Sequence, residues 1–187
     1  MAESAVLKPV RDAQRTRAAI LAAAQEAFSR TGYLDTGLRE ITAAAGANPA
    51  LVSRYFGSKD KLYEAALAEL LGADTVTAMP PDRFGEAAVD MLTAARQGQI
   101  NPLPMMLLSS ADPVARAITT RLLTDLFLAP LGQWYGAARG AEKAACFAML
   151  AAGLTLYRQV YPLDSLAGEL SAETRAWLAR AFQSLLD

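Results

Sequence analysis

Between Thr36 and Leu62 the chain reads TGLREITAAAGANPALVSRYFGSKDKL. Arg39, Arg54 and Lys59 supply positive charge there, and Asn48, Ser53 and Tyr55 supply hydrogen-bonding groups. Arginine presents a fork that fits guanine O6 and N7 or a phosphate, and lysine neutralises phosphate as a point charge. Hydroxyls and amides donate to phosphate oxygens or base edges. The chemistry in view is noncovalent recognition of a nucleic acid. Bond-making chemistry has little to work with. The chain has no histidine and one cysteine, Cys146, which excludes a histidine-dependent triad and an internal disulfide framework. Zinc sites of the common kinds cannot be built from one such chain. No paired carboxylates converge, so no metal, cofactor or enzymatic activity is expected.

The elements that must position these groups are short helices. Leu38, Ile41, Thr42 and Ala45 fall on one apolar stripe at helical spacing. Gly46 stands where a helix C-cap would fall, and Asn48-Pro49 is a restart, Asn offering a capping oxygen and Pro a missing N–H at the first helical position. Leu51, Val52 and Phe56 would hold the second helix to the body. Pro49, Ala50, Ser53 and Arg54 would then face outward, with Tyr55 towards the edge. Two short helices joined by a three- to four-residue turn with Gly form the helix-turn-helix pattern, whose second helix enters the major groove. An αα-hairpin with no nucleic-acid role is the alternative that the pattern alone leaves open. Ser58 is placed to cap the following helix. Lys59 in its first turn opposes the helix dipole unless it faces a phosphate.

Gly32-Tyr33, Arg39-Glu40-Ile41, Ala45-Gly46-Ala47 and Tyr55-Phe56-Gly57-Ser58-Lys59 together resemble the signature of tetracycline-repressor-like (TetR) transcriptional regulators. The resemblance runs over about residues 15–72, in order and without gaps. It implies an all-α fold of about nine helices, with a three-helix DNA-binding domain ahead of a helical ligand-binding and dimerisation domain. It implies a DNA-facing set of Thr36, Gly37, Arg39, Asn48, Pro49, Ala50, Ser53, Arg54, Tyr55 and Lys59. Within it Arg39 reaches a base edge, and Tyr55 and Lys59 meet phosphates. The sequence departs from the family at Ser53, where Tyr is usual, and at Gly37, where Ser or Thr is usual. The first departure removes a phosphate contact, and the second leaves capping of the first short helix to Thr36.

A chain of 187 residues, 53% hydrophobic and 20% charged, can bury a sizeable core, and its Ala and Leu bias favours helix. Net charge is −1, but residues 8–61 carry nine bases against five acids, a net of +4 that leaves −5 for the remainder. A basic module on an acidic body suits DNA, although ordinary charge scatter can produce the same split. No signal peptide is read at the start. The longest uncharged apolar run, Ala144–Tyr157, is 14 residues, short of the roughly 18 needed to span a bilayer. A cytoplasmic location without membrane contact is expected.

The domains expected are an irregular basic arm over 1–12, the reading head over 13–57, a connecting helix over 58–72 and the body over 73–187. The arm is read either as a solvated tail or as a segment reaching DNA. The first helix spans 13–31, with Ile20, Leu21, Ala24, Ala27 and Phe28 inward. In the body, helices are expected over 82–97 (Ala95 on its inner face), 102–109, from 113 to a break or kink at Pro130, 140–160, and from a cap at Ser171 to Leu186. Asn101-Pro102 and Asp112-Pro113 are two further cap-plus-Pro starts. Phe84, Met91, Met105, Met106, Phe127 and Trp134 are the candidate lining of a pocket for a small apolar effector. Ala145, Met149 and Ala152, with Trp177, Leu178, Ala181, Phe182 and Leu185, are the candidate homodimer interface. The expected function is a ligand-responsive regulator, most simply a repressor, on a pseudo-palindromic double-stranded operator. A non-regulatory architectural DNA-binding protein is the alternative.

Overall fold

The computed structural model describes residues 3–94 and 100–187, without the side chains of 3–11. The regular elements among the described residues are all helical. The α-helices are α1 (Glu3–Asp35, with non-helical angles at Gly32), α2 (Leu38–Ala44), α3 (Ala50–Tyr55), α4 (Lys59–Leu70), α5 (Asp74–Thr77), α6 (Phe84–Thr93), α7 (Pro102–Leu108), α8 (Pro113–Leu123), α9 (Ala129–Tyr135), α10 (Gly140–Thr155) and α11 (Ala172–Gln183), with a 3-10 turn at Pro81–Arg83 and π-helical turns at Thr124–Leu128 and Leu156–Val160. Helical backbone begins at Glu3, where the sequence predicts an irregular lead-in to residue 12. Extending an existing helix adds one bond per residue fixed, which is easier than nucleating a new one. The side chains of Lys8 and Arg11, and Ala95, lie outside the described residues.

The expected caps hold. Backbone N–H groups of Ala50, Leu103 and Ala115 donate to Asn48 Oδ1, Asn101 Oδ1 and Asp112 Oδ1 at 2.9, 3.0 and 2.8 Å. Lys61 N and Thr174 N donate to Ser58 Oγ and Ser171 Oγ at 3.2 and 3.1 Å. Pro130 does not break its helix. A π-helical turn, Thr124–Leu128, widens the backbone just before it, and α9 carries the proline in its first turn. The wide turn accommodates the N–H that proline lacks.

Two compact units result: the chain up to Leu70 together with Met105–Thr119, and Leu71–Pro104 together with Thr120–Asp187. The first therefore contains a segment that the sequence assigns to the body. Its core is Ile20, Ala24, Phe28, Ile41, Val52, Leu62, Tyr63 and Leu67, all fully buried. Phe28, Tyr33 and Tyr63 form a ring cluster with centroids 5.2–6.1 Å apart. Buried Gln25 ties α1 to α4 through the Ala66 carbonyl at 3.2 Å and Glu69 at 2.9 Å. Near the end of α1, Gly32 adopts φ 77, and a Cβ there would lie 2.5 Å from the Leu108 carbonyl oxygen. Tyr33 N donates to Ser109 Oγ at 3.0 Å, and the Tyr63 and Thr119 hydroxyls lie 2.8 Å apart.

In the second unit α6 packs on α11 and α9 on α10 around Phe84, Val89, Leu131, Phe147, Leu178 and Phe182. Leu178 and Phe182, expected at a dimer interface, are 5% and 0% exposed within the single chain, so they are core. An apolar stripe on a helix marks a buried face without saying what buries it, and α6 and α10 do so here. Backbones touch where glycine permits. A Cβ on Gly85 would stand 1.9 Å from the Ala179 carbonyl oxygen. By contrast, Gly37 (φ −91, ψ 141) has open space where its Cβ would be.

These two glycines should respond oppositely. Gly85→Ala should lose about 3 kcal/mol of stability through overpacking. Gly37→Ser, which supplies α2 with a capping hydroxyl and stiffens the unfolded chain, should gain about 0.5–1 kcal/mol. Denaturant unfolding checks both, and a Gly85→Ala variant as stable as the parent would refute the close α6–α11 contact.

Candidate nucleic-acid interface

The turn between α2 and α3 is built by backbone. Gly46 takes φ 61, its N–H reaches the Ala43 carbonyl at 3.1 Å, and Ala47 N reaches the Thr42 carbonyl at 2.8 Å. That pair of bonds is a Schellman cap, which closes α2 and aims the chain at Asn48. Pro49 already has helical angles (φ −52, ψ −32), and Asn48 receives the Ala50 N–H. The α3 helix then buries Val52 completely and half-buries Leu51 and Phe56. Pro49, Ala50, Ser53 and Arg54 are left exposed on one stripe, with Tyr55 half-buried beside it. The outward face predicted from Val52 and Phe56 is the one the structure leaves open.

Arg39 projects from α2 and is exposed, and neither it nor Arg54 has an ion-pair partner among the described residues. The neighbouring acid is occupied, because Glu40 accepts from Arg30 at 2.5 Å. Thr36 does not serve α2 as a cap. It is 1% exposed, and its hydroxyl donates to the Gly32 carbonyl at 2.6 Å, beside Thr31 Oγ1 at 2.9 Å. The cap position of α2 is Gly37, with no side-chain hydrogen bond. A buried hydroxyl must be satisfied internally, and the α1 carbonyl is the nearer acceptor.

Lys59 also has internal company. Its ammonium lies 4.3 Å from the centre of the Tyr33 ring, whose hydroxyl donates to Asp60. Burial pushes the Lys59 pKa below its ordinary value, while Asp112, Asp60 and Asp35 oppose the shift. Burial and the Asp60 bond push the Tyr33 phenol well above its usual range. The Tyr33 ring and these acids support the Lys59 charge only in part, because burial outweighs them. One group that the sequence reading passed over stands here as well. The Arg17 guanidinium lies 4.9 Å from the centre of the Phe56 ring. The signal was available: Arg17 precedes inward-facing Ile20 and Leu21 by three and four residues, which places it at the margin of the buried face.

The six candidate pocket residues are divided between the two units. Phe84 is fully buried and stacks on Trp134 at 5.6 Å, and Phe127 meets Phe147 at 6.1 Å. Met91 packs against the same core, while Met105, fully buried, and Met106 belong to the first unit. Aromatic rings at helical spacing fill volume as readily as they line it. An open surface depression of about 440 Å³ lies against Tyr135, Arg139, Glu142, Lys143 and Cys146 and the end of the chain from Ser184, and none of the six lines it.

Against known families, residues 20–66 match the model described as bacterial regulatory proteins, tetR family. Residues 82–186 match the tetracyclin repressor-like C-terminal domain. The chain belongs to the TetR family. Over 76 residues it is 40% identical to the HTH-type transcriptional regulator BetI of Rhizobium meliloti (strain 1021), covering 39% of this chain and 35% of BetI. It is 42% identical over 57 residues to an HTH-type transcriptional repressor of Mycobacterium tuberculosis, covering 30% of each. The chain thus spans about a third of the length of these two relatives. Over nearly the whole chain it is similar to the crystal structure of a TetR-family regulator from Streptomyces coelicolor A3, with 27% identity, a TM-score of 0.54, and 92% and 95% of the two chains covered. Both domains of this TetR-family protein are therefore those of transcriptional regulators. No helix among its described residues is long and apolar enough to cross a membrane.

The ring contact of Lys59 has a measurable consequence. Lys59→Ala should cost about 0.5–1 kcal/mol of stability, the worth of a partly exposed cation–π pair, and Lys59→Arg should recover most of it. Thermal denaturation gives the comparison, and an unchanged midpoint in Lys59→Ala would dismiss the contact as energetically idle.

Proposed function

We propose that this TetR-family protein is a ligand-responsive repressor that binds a pseudo-palindromic operator as a homodimer and is released by a small apolar effector. The observation that carries the DNA-binding part is the open stripe Pro49, Ala50, Ser53 and Arg54, flanked by Arg39 with no ionic partner among the described residues. In this reading α3 lies in the major groove, and Arg39 and Arg54 read base edges. Gly37 and Asn48 lie against the backbone, Tyr55 gives its hydroxyl to a phosphate, and Lys59 offers an adjacent phosphate its charge from its seat on Tyr33. Thr36 acts from inside, by holding the Gly32 turn.

The homodimer rests on a face that one chain leaves uncovered. The helix α10 buries Ala144, Phe147, Ala151 and Leu154, and leaves Ala145 and Met149 exposed on the other side, with Ala152 at its margin. On α11, Trp177 is 57% exposed and Ala181 and Leu185 are half-buried. Small residues let helices approach closely, and a large exposed Met and Trp invite burial. Two heads related by a two-fold axis would meet half-sites about 34–36 Å apart, one helical turn.

Response to an effector rests on connectivity. The chain passes from one unit to the other inside α7 and again inside α8, and the segment between, Met105–Thr119, is built into the DNA-binding unit. A ligand in the second unit that favoured one arrangement of these helices would bias the heads, which is a two-state shift of population. The α4 lever predicted from sequence then acts together with this segment.

Two experiments test the proposal. For the reading head, Arg54→Ala should abolish preference for a selected operator, and Arg39→Ala should lose about 1–3 kcal/mol of discrimination at one position per half-site. Operator selection from random duplexes reads both, and wild-type preference in Arg54→Ala would rule out this docking of α3. For the dimer, Met149→Glu should leave a folded monomer, whereas Leu178→Glu should unfold the chain by burying an unpaired charge. Sedimentation and circular dichroism separate the outcomes. A Met149→Glu protein that still sediments as a dimer places the interface elsewhere.

A further inference from the structure

We infer that Arg17 is a phosphate anchor of the DNA interface, carried by α1 outside the helix-turn-helix and held in place by the Phe56 ring; the inference rests on the docking of α3 proposed above. Two exposed arginines of α1 are tied to acids, Arg15 to Asp12 at 4.0 Å and Arg30 to Glu40 at 2.5 Å. Arg17 is exposed, and its guanidinium lies over a ring, with no carboxylate partner among the described residues. A guanidinium over an aromatic face uses none of its five N–H donors on a carboxylate, so they remain available to an anion. The seat also fixes the location. Phe56 directly follows Arg54 and Tyr55, and its N–H bonds the Val52 carbonyl at 2.8 Å, so the ring belongs to the end of α3.

The side of α3 matters as much as its end. Phe56 is half-buried and lies off the exposed Pro49-Ala50-Ser53-Arg54 stripe. In the docking proposed above, a group seated on it would stand beside the reading helix, off the stripe that is turned to the bases. Arg17 is therefore assigned to phosphate and carries no sequence information. A flexible side chain already immobilised by its ring loses less freedom on binding than a free one.

The test uses the full chain with two duplexes of equal length, one enriched from a random-sequence library and one unselected. Arg17→Ala should weaken both by the same factor, about tenfold for a charged hydrogen bond. The slope of log affinity against log salt should fall by about one per subunit. Arg17→Lys should keep the slope. Phe56→Leu should weaken binding less than Arg17→Ala, and the double variant should be no weaker than Arg17→Ala alone. A folded Arg17→Ala protein with unchanged affinity and slope would overturn the inference, as would a loss confined to the selected duplex. Arg54→Ala, measured alongside, distinguishes the failures. If Arg54→Ala loses its preference and Arg17→Ala is silent, only the anchor is wrong. If both are silent, the docking of α3 fails and the anchor with it.

Discussion

The first unit depends on one close approach of backbone to backbone. At Gly32 the chain takes φ 77 with ψ −180, a region that only glycine occupies freely, and the Leu108 carbonyl moves into the space a side chain would fill. The consequences follow in order. The chain turns out of α1, so Thr36 is placed under it to receive support from the Gly32 carbonyl. Tyr33 is placed to bond Ser109 with its N–H and Asp60 with its hydroxyl. The Tyr33 ring becomes the seat of Lys59 at the start of α4. One backbone conformation thus fixes the entry to α2, the start of α4 and the docking of Met105–Thr119. Any side chain at position 32 would push on all three.

The reading head is rigid for reasons that its short helices cannot supply. Helices of seven and six residues are marginal alone, since nucleation is unfavourable and few bonds follow it. Ile41 and Val52, both fully buried, anchor them in the core of the first unit. The Schellman cap at Gly46 and the Asn48 oxygen then fix the angle between them. Orientation of the exposed stripe is therefore set by the core and the turn, with the outward side chains free to vary.

What was legible in the sequence was what local chemistry decides. Asn48, Ser58, Asn101, Asp112 and Ser171 cap because each stands before a proline or a helix-forming run with its oxygen in reach of the next N–H. The outward set of α3 followed from a period of 3.6 and two inward residues. What depended on a distant partner was not legible. Leu178 and Trp177 are neighbours on one helix, yet the first is core and the second 57% exposed, and only the position of α6 and α10 decides this. Thr36 read as a cap because its nearest helix start lies ahead of it, whereas its acceptor lies behind, on Gly32. Met105 and Met106 follow the domain boundary in sequence, and the fold returns them to the first unit.

The charge pattern explains how an acidic chain can present a basic face. In the head, Asp12 lies beside Arg15, Glu40 is held by Arg30, and Asp60 accepts from Tyr33 next to Lys59. Asp12 and Glu40 each have a cation against them and Asp60 a hydroxyl with Lys59 nearby, which offsets part of their field locally. Arg39, Arg54 and Arg17 keep theirs, since no described residue opposes them with a carboxylate. Exposed charges are screened beyond roughly 10 Å at 0.1 M salt, so a duplex close to α3 responds to these three far more than to the total of −1. Where the unopposed cations stand, and not the sum over the chain, decides which face attracts a phosphate backbone.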